Sequence, residues 1–405
     1  MRAGPADEER SSGVLAERRT KLERLREAGV DPFPHAYPDR TEIATVRAAH
    51  DGLRPGEETD ARYRLAGRIV ARRGHGRAAF LDLVDGSGRI QLHSRADVLG
   101  EDEHDALVGL DLGDIVGVQG LAFKTRRGEL SLRLTGWTLL AKSLRPPPEK
   151  FHGLADVETR YRRRELDLIA NPEVRELFAL RSRTVAEIRR WLDERGFLEV
   201  ETPVLQPLYG GALARPFTTH YNALDRDYYL RIATELYLKR CIVGGIERVY
   251  ELGKDFRNEG VDPKHNPEFT MLEWYEAYAD YEDTARRFED LVATVAKRVL
   301  GSTVLEREGV EIDLAPPWRR LTLRDAIRDR TGLDIAERPS RDQLAAALGG
   351  EPDPAAGWGK LIDDVLSKLV ERPAGDHPLG RPLDPGGGAV PGDAELDDQF
   401  RGLMQ

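Results

Sequence analysis

The chain has 405 residues, 40% of them hydrophobic, so it can bury a large core, and two domains are the default expectation. No apolar run approaches the about 20 residues of a membrane span, and the polar start, Met1 to Arg10, is no signal peptide. The single cysteine, Cys241, excludes an internal disulfide and fits a reducing cytosol, while a net charge of −10 excludes only a uniformly basic nucleic-acid binder.

Residues 1–60 are predicted to be a helical extension. Within them, residues 14–28 interleave basic and acidic side chains on a pattern poor in apolar residues, and Asp31-Pro32-Phe33-Pro34 ends the pattern. A solvated helix and an RNA-contacting helix fit this composition about equally well.

From about Tyr63 to Leu140 apolar and polar residues alternate, and glycine turns such as Asp85-Gly86-Ser87-Gly88 separate the alternating runs. Alternation with this period predicts short strands that form a small barrel. Five strands with a long connection before the fourth fit an OB-fold, a class that binds oligonucleotides. We assign this barrel to residues 61–145.

The alternation also predicts an outer face of the barrel. If the leucines and isoleucines of the strands point inward, Phe80, Gln91 and Glu129 point outward. An exposed aromatic ring beside an amide and an acid, with Arg72 and Arg73 nearby, is typical of surfaces that read single-stranded bases. The alternative for Phe80 is a partly buried residue covered by its neighbours.

Pro146-Pro147-Pro148 predicts a stiff hinge, which we extend over residues 146–172 with the basic linker that follows. Asn171-Pro172 then predicts a helix start, and apolar residues at helical spacing continue to Leu192, with Gly196 closing the helix. A strand from Phe197 to Pro203 is expected next.

The segment Asp255-Phe256-Arg257-Asn258-Glu259-Gly260, followed by His265 to Glu273, lies between two apolar segments and predicts a strand, a polar loop and a strand. An arginine supplies the bidentate cation that a nucleotide phosphate needs, and Phe269 offers an aromatic face for adenine. Taken alone, these residues also fit a charged hairpin whose arginine and glutamate form a surface ion pair.

Together with the long match around it, this segment resembles motif 2 of class II aminoacyl-tRNA synthetases, and its amino-acid sequence is most similar to that of the lysyl-tRNA synthetases. The preceding helix, strand and proline resemble motif 1, which builds the dimer interface in that family. The resemblance runs from about residue 15 to 300. It implies an α+β fold, with a five-stranded OB-fold barrel that holds the anticodon and an antiparallel-sheet catalytic domain over residues 173–371.

The resemblance further implies ATP-dependent attachment of lysine to its tRNA through a lysyl-adenylate, in a cytoplasmic homodimer without membrane or DNA partners. Arg257 would clamp the α-phosphate and the lysine carboxylate, Phe269 would stack under adenine, Glu259 would read its edge, and His265 would contact the phosphates. The lysine side would consist of Gly211 and Glu235 for the α-amino group and of Glu273 and Tyr275 for the ε-ammonium. Arg215 belongs to the same family stretch, and a structural ion pair is as good an account of it.

The barrel residues take anticodon roles under the same resemblance. Phe80 would stack on a base, Gln91 and Glu129 would contact base edges, and Arg72 and Arg73 would lie nearby.

The sequence departs from the family beyond about residue 300. The glycine-rich third motif is missing, as is the acidic stretch that holds Mg²⁺, and residues 372–405 are rich in proline and glycine, which favours disorder. Three alternatives follow: a lysine–tRNA ligase, expected to be very weak on its own; an inactive paralogue that binds tRNA, ATP or a partner subunit; and an enzyme that lysylates a protein such as elongation factor P. The OB-like module argues against the third.

Overall fold

The computed structural model describes residues 5–74, 76–148, 154–260, 265–307, 309–350 and 354–370. The chain divides into two compact units, Met1–Asn171 and Pro172–Gln405. The predictions for residues 149–153 of the linker and for the tail, 372–405, lie outside the described residues. Within the described ranges, no helix is both long enough and apolar enough to cross a membrane.

A closed barrel of five strands, in the order β1-β2-β3-β5-β4, forms the first unit and confirms the predicted OB-fold. Two short helices fill the long connection before the fourth strand. The strands are β1 (Glu58–Arg73), β2 (Ala78–Val84), β3 (Arg89–Arg95), β4 (Ile115–Lys124) and β5 (Leu130–Ala141). The helices are α1 (Pro5–Glu27), α2 (Ile43–Ala49), α3 (Ala96–Leu99), α4 (Glu101–Val108), α5 (Val157–Arg162) and α6 (Arg164–Ala170).

The barrel core follows the alternation of the sequence. The inward residues of β2 and β3, among them Leu81, Leu83, Ile90 and Leu92, are buried. Because successive side chains of a strand point to opposite faces, the residues between them form the outer face. The core thereby sets the orientation of the face that carries the predicted base-reading residues.

Two basic residues of helix α1 anchor it to the barrel, while Arg19, Arg24 and Arg26 are exposed, so a solvated and an RNA-contacting face both stay predictions. Arg18 is buried and donates to the carbonyl oxygens of Leu112 at 3.1 Å and Ser143 at 3.0 Å. Lys21 donates to Asp111 at 2.7 Å. A guanidinium group bound to carbonyl oxygens in the interior is available neither to solvent nor to RNA.

The second unit contains a three-stranded sheet in the order β11-β10-β6, a second sheet in the order β7-β9-β8 and a two-stranded ribbon, β12-β13. The strands are β6 (Leu198–Glu199), β7 (Leu205–Gln206), β8 (Thr218–Tyr221), β9 (Arg226–Leu230), β10 (Arg248–Phe256), β11 (Glu268–Glu276), β12 (Val304–Arg307) and β13 (Val310–Asp313). The helices are α7 (Pro172–Asp193), α8 (Glu235–Val243), α9 (Tyr281–Leu300), α10 (Leu323–Thr331), α11 (Arg341–Leu348) and α12 (Trp358–Val365), with short 3₁₀ segments at Asn222–Leu224 and Ile335–Glu337 and a π-helical turn at Leu366–Val370.

Helices α7 and α9 pack on the sheet that carries β10 and β11. Trp191 of α7, Tyr250 of β10 and Leu291 of α9 belong to one buried cluster. A second cluster joins α10, α11 and α12 through Ile327 and Leu344. The first cluster covers one face of the β10–β11 hairpin, which leaves the opposite face to line a site.

The strand expected from Phe197 to Pro203 is only two residues long, and it pairs parallel to β10, so the sheet is mixed where an antiparallel one was predicted. Directly after β6, the backbone amide of Val200 still donates a hydrogen bond to the carbonyl of Tyr250 in β10, at 2.9 Å. The amide of Thr202, two residues later, donates to the Glu251 carboxylate, and Pro203 has no amide proton to donate.

Candidate active site and nucleic-acid face

The β10–β11 hairpin brings Arg257, Phe269, Glu273 and Tyr275 onto one surface. In its antiparallel register Asp255 lies opposite Phe269 and Glu251 lies opposite Glu273. Directly opposed residues share a face of the sheet, and residues two apart along a strand share it as well. Phe269 and Glu273 therefore point to the same side, as the prediction of an ATP end and a lysine end requires.

Arg257 follows directly after β10 and lies against the aromatic ring that was predicted to stack under adenine. Its guanidinium carbon is 5.1 Å from the centroid of Phe269. Its Nε donates to the carbonyl of Ile232 at 3.4 Å, and its backbone amide to the carbonyl of Pro267 at 2.9 Å. These contacts hold the base of the side chain and leave a half-buried guanidinium group suited to bind an anion.

Arg215 contributes to this corner through its backbone. Its carbonyl accepts a hydrogen bond from the Asn258 amide at 2.7 Å, while its side chain is exposed. The segment that contains Arg215 therefore fixes the start of the motif 2 loop.

Glu235 and Gly211 lie side by side, as predicted. Gly211 has a φ of +92°, and a Cβ atom there would lie 2.9 Å from the Cβ of Glu235, so a larger residue would displace the acid. Glu235 opens α8 and pairs with Lys239 one turn later, at 2.6 Å. An incoming amino group would have to share Glu235 with Lys239.

Glu273 and Tyr275 form the second acidic part of the surface. The Oε2 atom of Glu273 is buried and has no hydrogen-bond partner among the described residues. Burial, followed by the carboxyl groups of Glu273 and Glu235, raises the pKa of Tyr275 to about 12. The Nζ of Lys239, which pairs with Glu235, lies 5.9 Å from the centroid of the Tyr275 ring, so Glu235 is near the same phenol through this lysine.

Beneath this surface is a buried charge cluster that the sequence reasoning missed. Arg231 is buried, pairs with Glu251, and donates to the Lys254 carbonyl at 2.9 Å. Its Nη2 lies 2.3 Å from the position of a Cβ at Gly253, so only glycine fits there. The available signal was the parity of Glu251 and Asp255, which lie four residues apart and therefore on the same face of the strand.

Glu259 and His265 are both exposed and flank residues 261–264, which lie outside the described ranges. Their roles at the adenine edge and the phosphates remain predictions. Within the described residues, no group of three His, Cys, Asp or Glu side chains could hold a metal ion. We therefore assign no protein ligand to Mg²⁺ and derive no step through it.

On the barrel, Phe80 of β2 stacks on His93 of β3. Their ring centroids are 4.5 Å apart and the planes are inclined by 9°. His93 also contacts Phe123, with centroids 5.7 Å apart. Phe80 is therefore half-buried, with one side of its ring held by His93, and the sequence reasoning missed both partner rings. His93 could have been found by parity, since it lies two residues after Gln91.

The other predicted base-reading residues divide between the two faces of the barrel. Gln91 accepts a hydrogen bond from Ser131 at 3.0 Å, and Glu129 is exposed on the same strand parity as Ser131. Arg73 pairs in register with Phe80 and so shares its face.

Arg72 lies off this face. It is in register with the inward Leu81, and its guanidinium group donates to the carbonyls of Val108 and Leu110 at the end of α4, the latter at 3.0 Å. The expectation that both arginines lie beside Phe80 is therefore wrong for Arg72, because neighbouring residues of a strand point to opposite sides.

Two family models match the chain: "tRNA synthetases class II (D, K and N)" over residues 156–351 and "OB-fold nucleic acid binding domain" over residues 63–140. These matches and the two folded units define a class II tRNA synthetase with an OB-fold domain. Among its relatives, the lysine–tRNA ligase of Moorella thermoacetica is 50% identical over 366 residues, covering 90% of this chain and 74% of the relative. That of Bacillus cereus is 51% identical, covering 88% and 72%. That of Dehalococcoides mccartyi strain BAV1 is 45% identical, covering 96% and 80%. The chain belongs to the lysine–tRNA ligase family.

Proposed function

We propose that the chain activates lysine with ATP and transfers it to the lysine tRNA. The observation that carries this proposal is the distribution of charge on the β10–β11 surface. Arg257 and Phe269 form an anion- and ring-binding corner at one end, while Glu273, Tyr275 and Glu235 form an acidic region at the other. Lysine carries a carboxylate and two ammonium groups, and ATP carries phosphates and an adenine ring, so the two substrates match both ends.

In the activation step, a carboxylate oxygen of lysine forms a bond to the α-phosphorus of ATP, and the bond from that phosphorus to the oxygen bridging to the β-phosphate breaks. Pyrophosphate leaves with the electron pair of that bond. A carboxylate is already a nucleophile, so no side chain has to remove a proton. Arg257 would hold the α-phosphate and the carboxylate in line and neutralise the charge that develops, which is the main contribution a protein makes to such a displacement.

Selection of lysine would rest on acids that lack a full set of partners. A side-chain ammonium group would satisfy the buried Oε2 of Glu273, whereas an uncharged side chain would leave it unsatisfied. Sites built on such groups reject analogues that cannot pair with them. Glu235, beside the backbone of Gly211, would hold the α-amino group.

The barrel would bind the anticodon. Phe80 offers one side of a ring whose other side is supported by His93, and Gln91, Glu129 and Arg73 surround it with hydrogen-bonding groups. Aromatic stacking combined with polar groups at base edges is how OB-folds bind single-stranded RNA.

A homodimer would be the working form. Helix α7 buries one side against the sheet, and apolar side chains remain exposed around the strands that follow it, among them Leu198, Leu205 and Leu208. Exposed apolar groups concentrated in one region are typical of protein interfaces. Localisation in the cytoplasm is part of the same proposal.

Lysine binding and lysine-dependent ATP–pyrophosphate exchange test the proposal. Equilibrium dialysis with labelled lysine comes first, with arginine and norleucine as competitors. Preferential binding of lysine, and exchange that Arg257→Ala abolishes, would support the proposal. Exchange driven by another amino acid would contradict it. Binding of tRNA without lysine binding or exchange would favour an inactive relative.

A further inference from the structure

Asp255 is a buried carboxyl group that the proposed reaction leaves without a role. Its side chain is 0% exposed, and neither of its oxygens accepts a hydrogen bond from a described residue. Buried carboxyl groups are normally hydrogen-bonded or paired, because removing a charge from water is costly. An acid in this state next to a substrate surface requires an explanation.

The cation nearest to Asp255 is already shared with another acid. The Nε of Arg231 lies 3.1 Å from Oδ1 of Asp255, but it donates its proton to the carbonyl of Lys254. The Nη1 of Arg231 pairs with Glu251, which also accepts from Thr202 at 2.6 Å. Arg231 therefore donates hydrogen bonds to Glu251 and to the Lys254 carbonyl but not to Asp255, so it neutralises the charge of Asp255 only in part.

The charges around Asp255 leave an excess of acid. The charged groups that act on it are Arg231, from the segment before α8, Glu251 and Arg257, from β10 and its end, and Glu273, from β11. With Asp255 itself, three carboxyl groups face two guanidinium groups. Burial, together with the carboxyl groups of Glu273 and Glu251, raises the pKa of Asp255 to about 6, against the opposing effect of the two arginines.

Asp255 lies between the two ends of the proposed lysine site. Along the chain it is two residues before Arg257, and in the register Glu273 lies opposite Glu251, four residues before Asp255. All of these positions share one face of the sheet. A lysine molecule held by its carboxylate at Arg257 and by its ammonium group at Glu273 would pass over Asp255.

We propose that Asp255 is a specificity determinant for a cationic amino acid, acting through its charge from within the core and not by contact with the substrate. The proposal rests on the proposed binding of lysine to this surface. A side-chain ammonium group would neutralise the excess negative charge, and an uncharged side chain would not.

The affinity of the chain for lysine should depend on pH. Bound lysine would favour the ionised form of Asp255, so the affinity for lysine is high above the pKa of the free chain. It falls as the pH drops through about 6, where the carboxyl group becomes protonated. A residue that only supported the fold would not produce this dependence on pH.

The test measures lysine affinity by equilibrium dialysis at pH 7.5 and pH 5.5. It compares the wild-type chain, Asp255→Asn, and Glu289→Gln as a matched control. Glu289 is also buried and ion-paired, with Arg320, but on α9. We expect the wild-type chain to lose about threefold in affinity at pH 5.5, because the carboxyl group is only partly protonated half a unit below its pKa of about 6. Asp255→Asn should bind about tenfold more weakly at pH 7.5 and show little further loss, and Glu289→Gln should match the wild type.

Each of the other outcomes overturns the inference. If Asp255→Asn kept the affinity and the pH dependence of the wild type, the charge of Asp255 would have no influence on lysine binding. If the variant bound lysine more weakly but its affinity still fell between pH 7.5 and pH 5.5, Asp255 would have a structural role alone. If the variant did not fold, the wild-type chain would decide, and the absence of a step near pH 6 would overturn the inference. Failure of the wild-type chain to bind lysine at either pH would overturn the proposed function as well, which separates the two cases.

Discussion

The guanidinium group of Arg257 lies 5.1 Å from the ring centroid of Phe269, its neighbour across the motif 2 hairpin. The contact fixes an anion-binding group beside an aromatic surface, and this is the arrangement that an α-phosphate next to an adenine requires. A cation over a ring is also favourable in the absence of ligand, so the arginine is held in place before substrate arrives.

Replacement of Arg257 by alanine should lower lysine-dependent ATP–pyrophosphate exchange by about 10²–10³-fold, because one preorganised electrostatic contact to the transition state would be lost. Arg248→Ala is the matched control, since Arg248 lies at the other end of the same strand and pairs with Glu276. Equal losses in the two variants would mean that Arg257 matters only for the fold.

Replacement of Phe80 by alanine should weaken binding of the lysine tRNA by roughly 1–3 kcal/mol, the usual value of one stacked base. Filter binding measures the change, and Phe33→Ala is the control, because Phe33 is an exposed ring in the same unit. Binding that ignores Phe80→Ala and does not discriminate among tRNA anticodons would contradict the proposed anticodon role.

The sequence predicted those features that depend on local period and failed for those that depend on register. Alternation in β2 and β3 was enough to separate Leu81 from Phe80. The stacking of Phe80 on His93 could not be predicted, because it requires these two residues to be opposed, and the pairing of strands is set by the whole barrel. The grouping of Arg72 with Arg73, by contrast, overlooked the local period, which places neighbouring residues of a strand on opposite faces.

Long-range contacts of buried arginines were equally inaccessible to sequence reasoning. Arg18 and Ser143 are far apart in the chain, and so are Arg231 and Asp255, so no spacing rule relates them. The motif 2 residues were found because a short segment concentrates an arginine, acids and aromatic rings. Asp255 lies in that segment, yet its burial depends on Arg231 and on the packing of the hairpin.

Glu251→Ala should lower the free energy of unfolding by about 3–5 kcal/mol, since it would leave the buried Arg231 without its main partner. Glu268→Ala provides the comparison, because Glu268 forms an exposed pair with Lys254 at 3.5 Å and should cost at most about 1 kcal/mol. Urea unfolding of the two variants measures the difference. A similar small effect in both would show that Arg231 finds another partner.

Light scattering at micromolar concentration should show a homodimer, and only a monomer of 45.4 kDa would count against it. Leu205→Glu should shift the equilibrium toward monomer, because formation of the proposed dimer would bury a charge among the apolar residues that are exposed in the single chain. Leu321→Glu changes an equally exposed leucine elsewhere in the unit and should leave the dimer intact. Dissociation by both variants would indicate a general loss of stability.

Asp255→Asn should make the folded chain more stable at pH 7.5, even though it removes an ion contact. The pKa of Asp255 is raised from 3.8 to about 6, so the folded state binds its proton more tightly than the unfolded state does, and stability falls as the pH rises from about 4 to 6. Two units of pKa correspond to roughly 2–3 kcal/mol in the free energy of unfolding, and Asp255→Asn should raise the stability by this amount above pH 6. Urea unfolding of wild type and variant should therefore differ at pH 7.5 and converge below about pH 4, where the carboxyl group is protonated in both states. A variant less stable than wild type at pH 7.5 would mean that the pairing of Asp255 with Arg231 outweighs the cost of its burial.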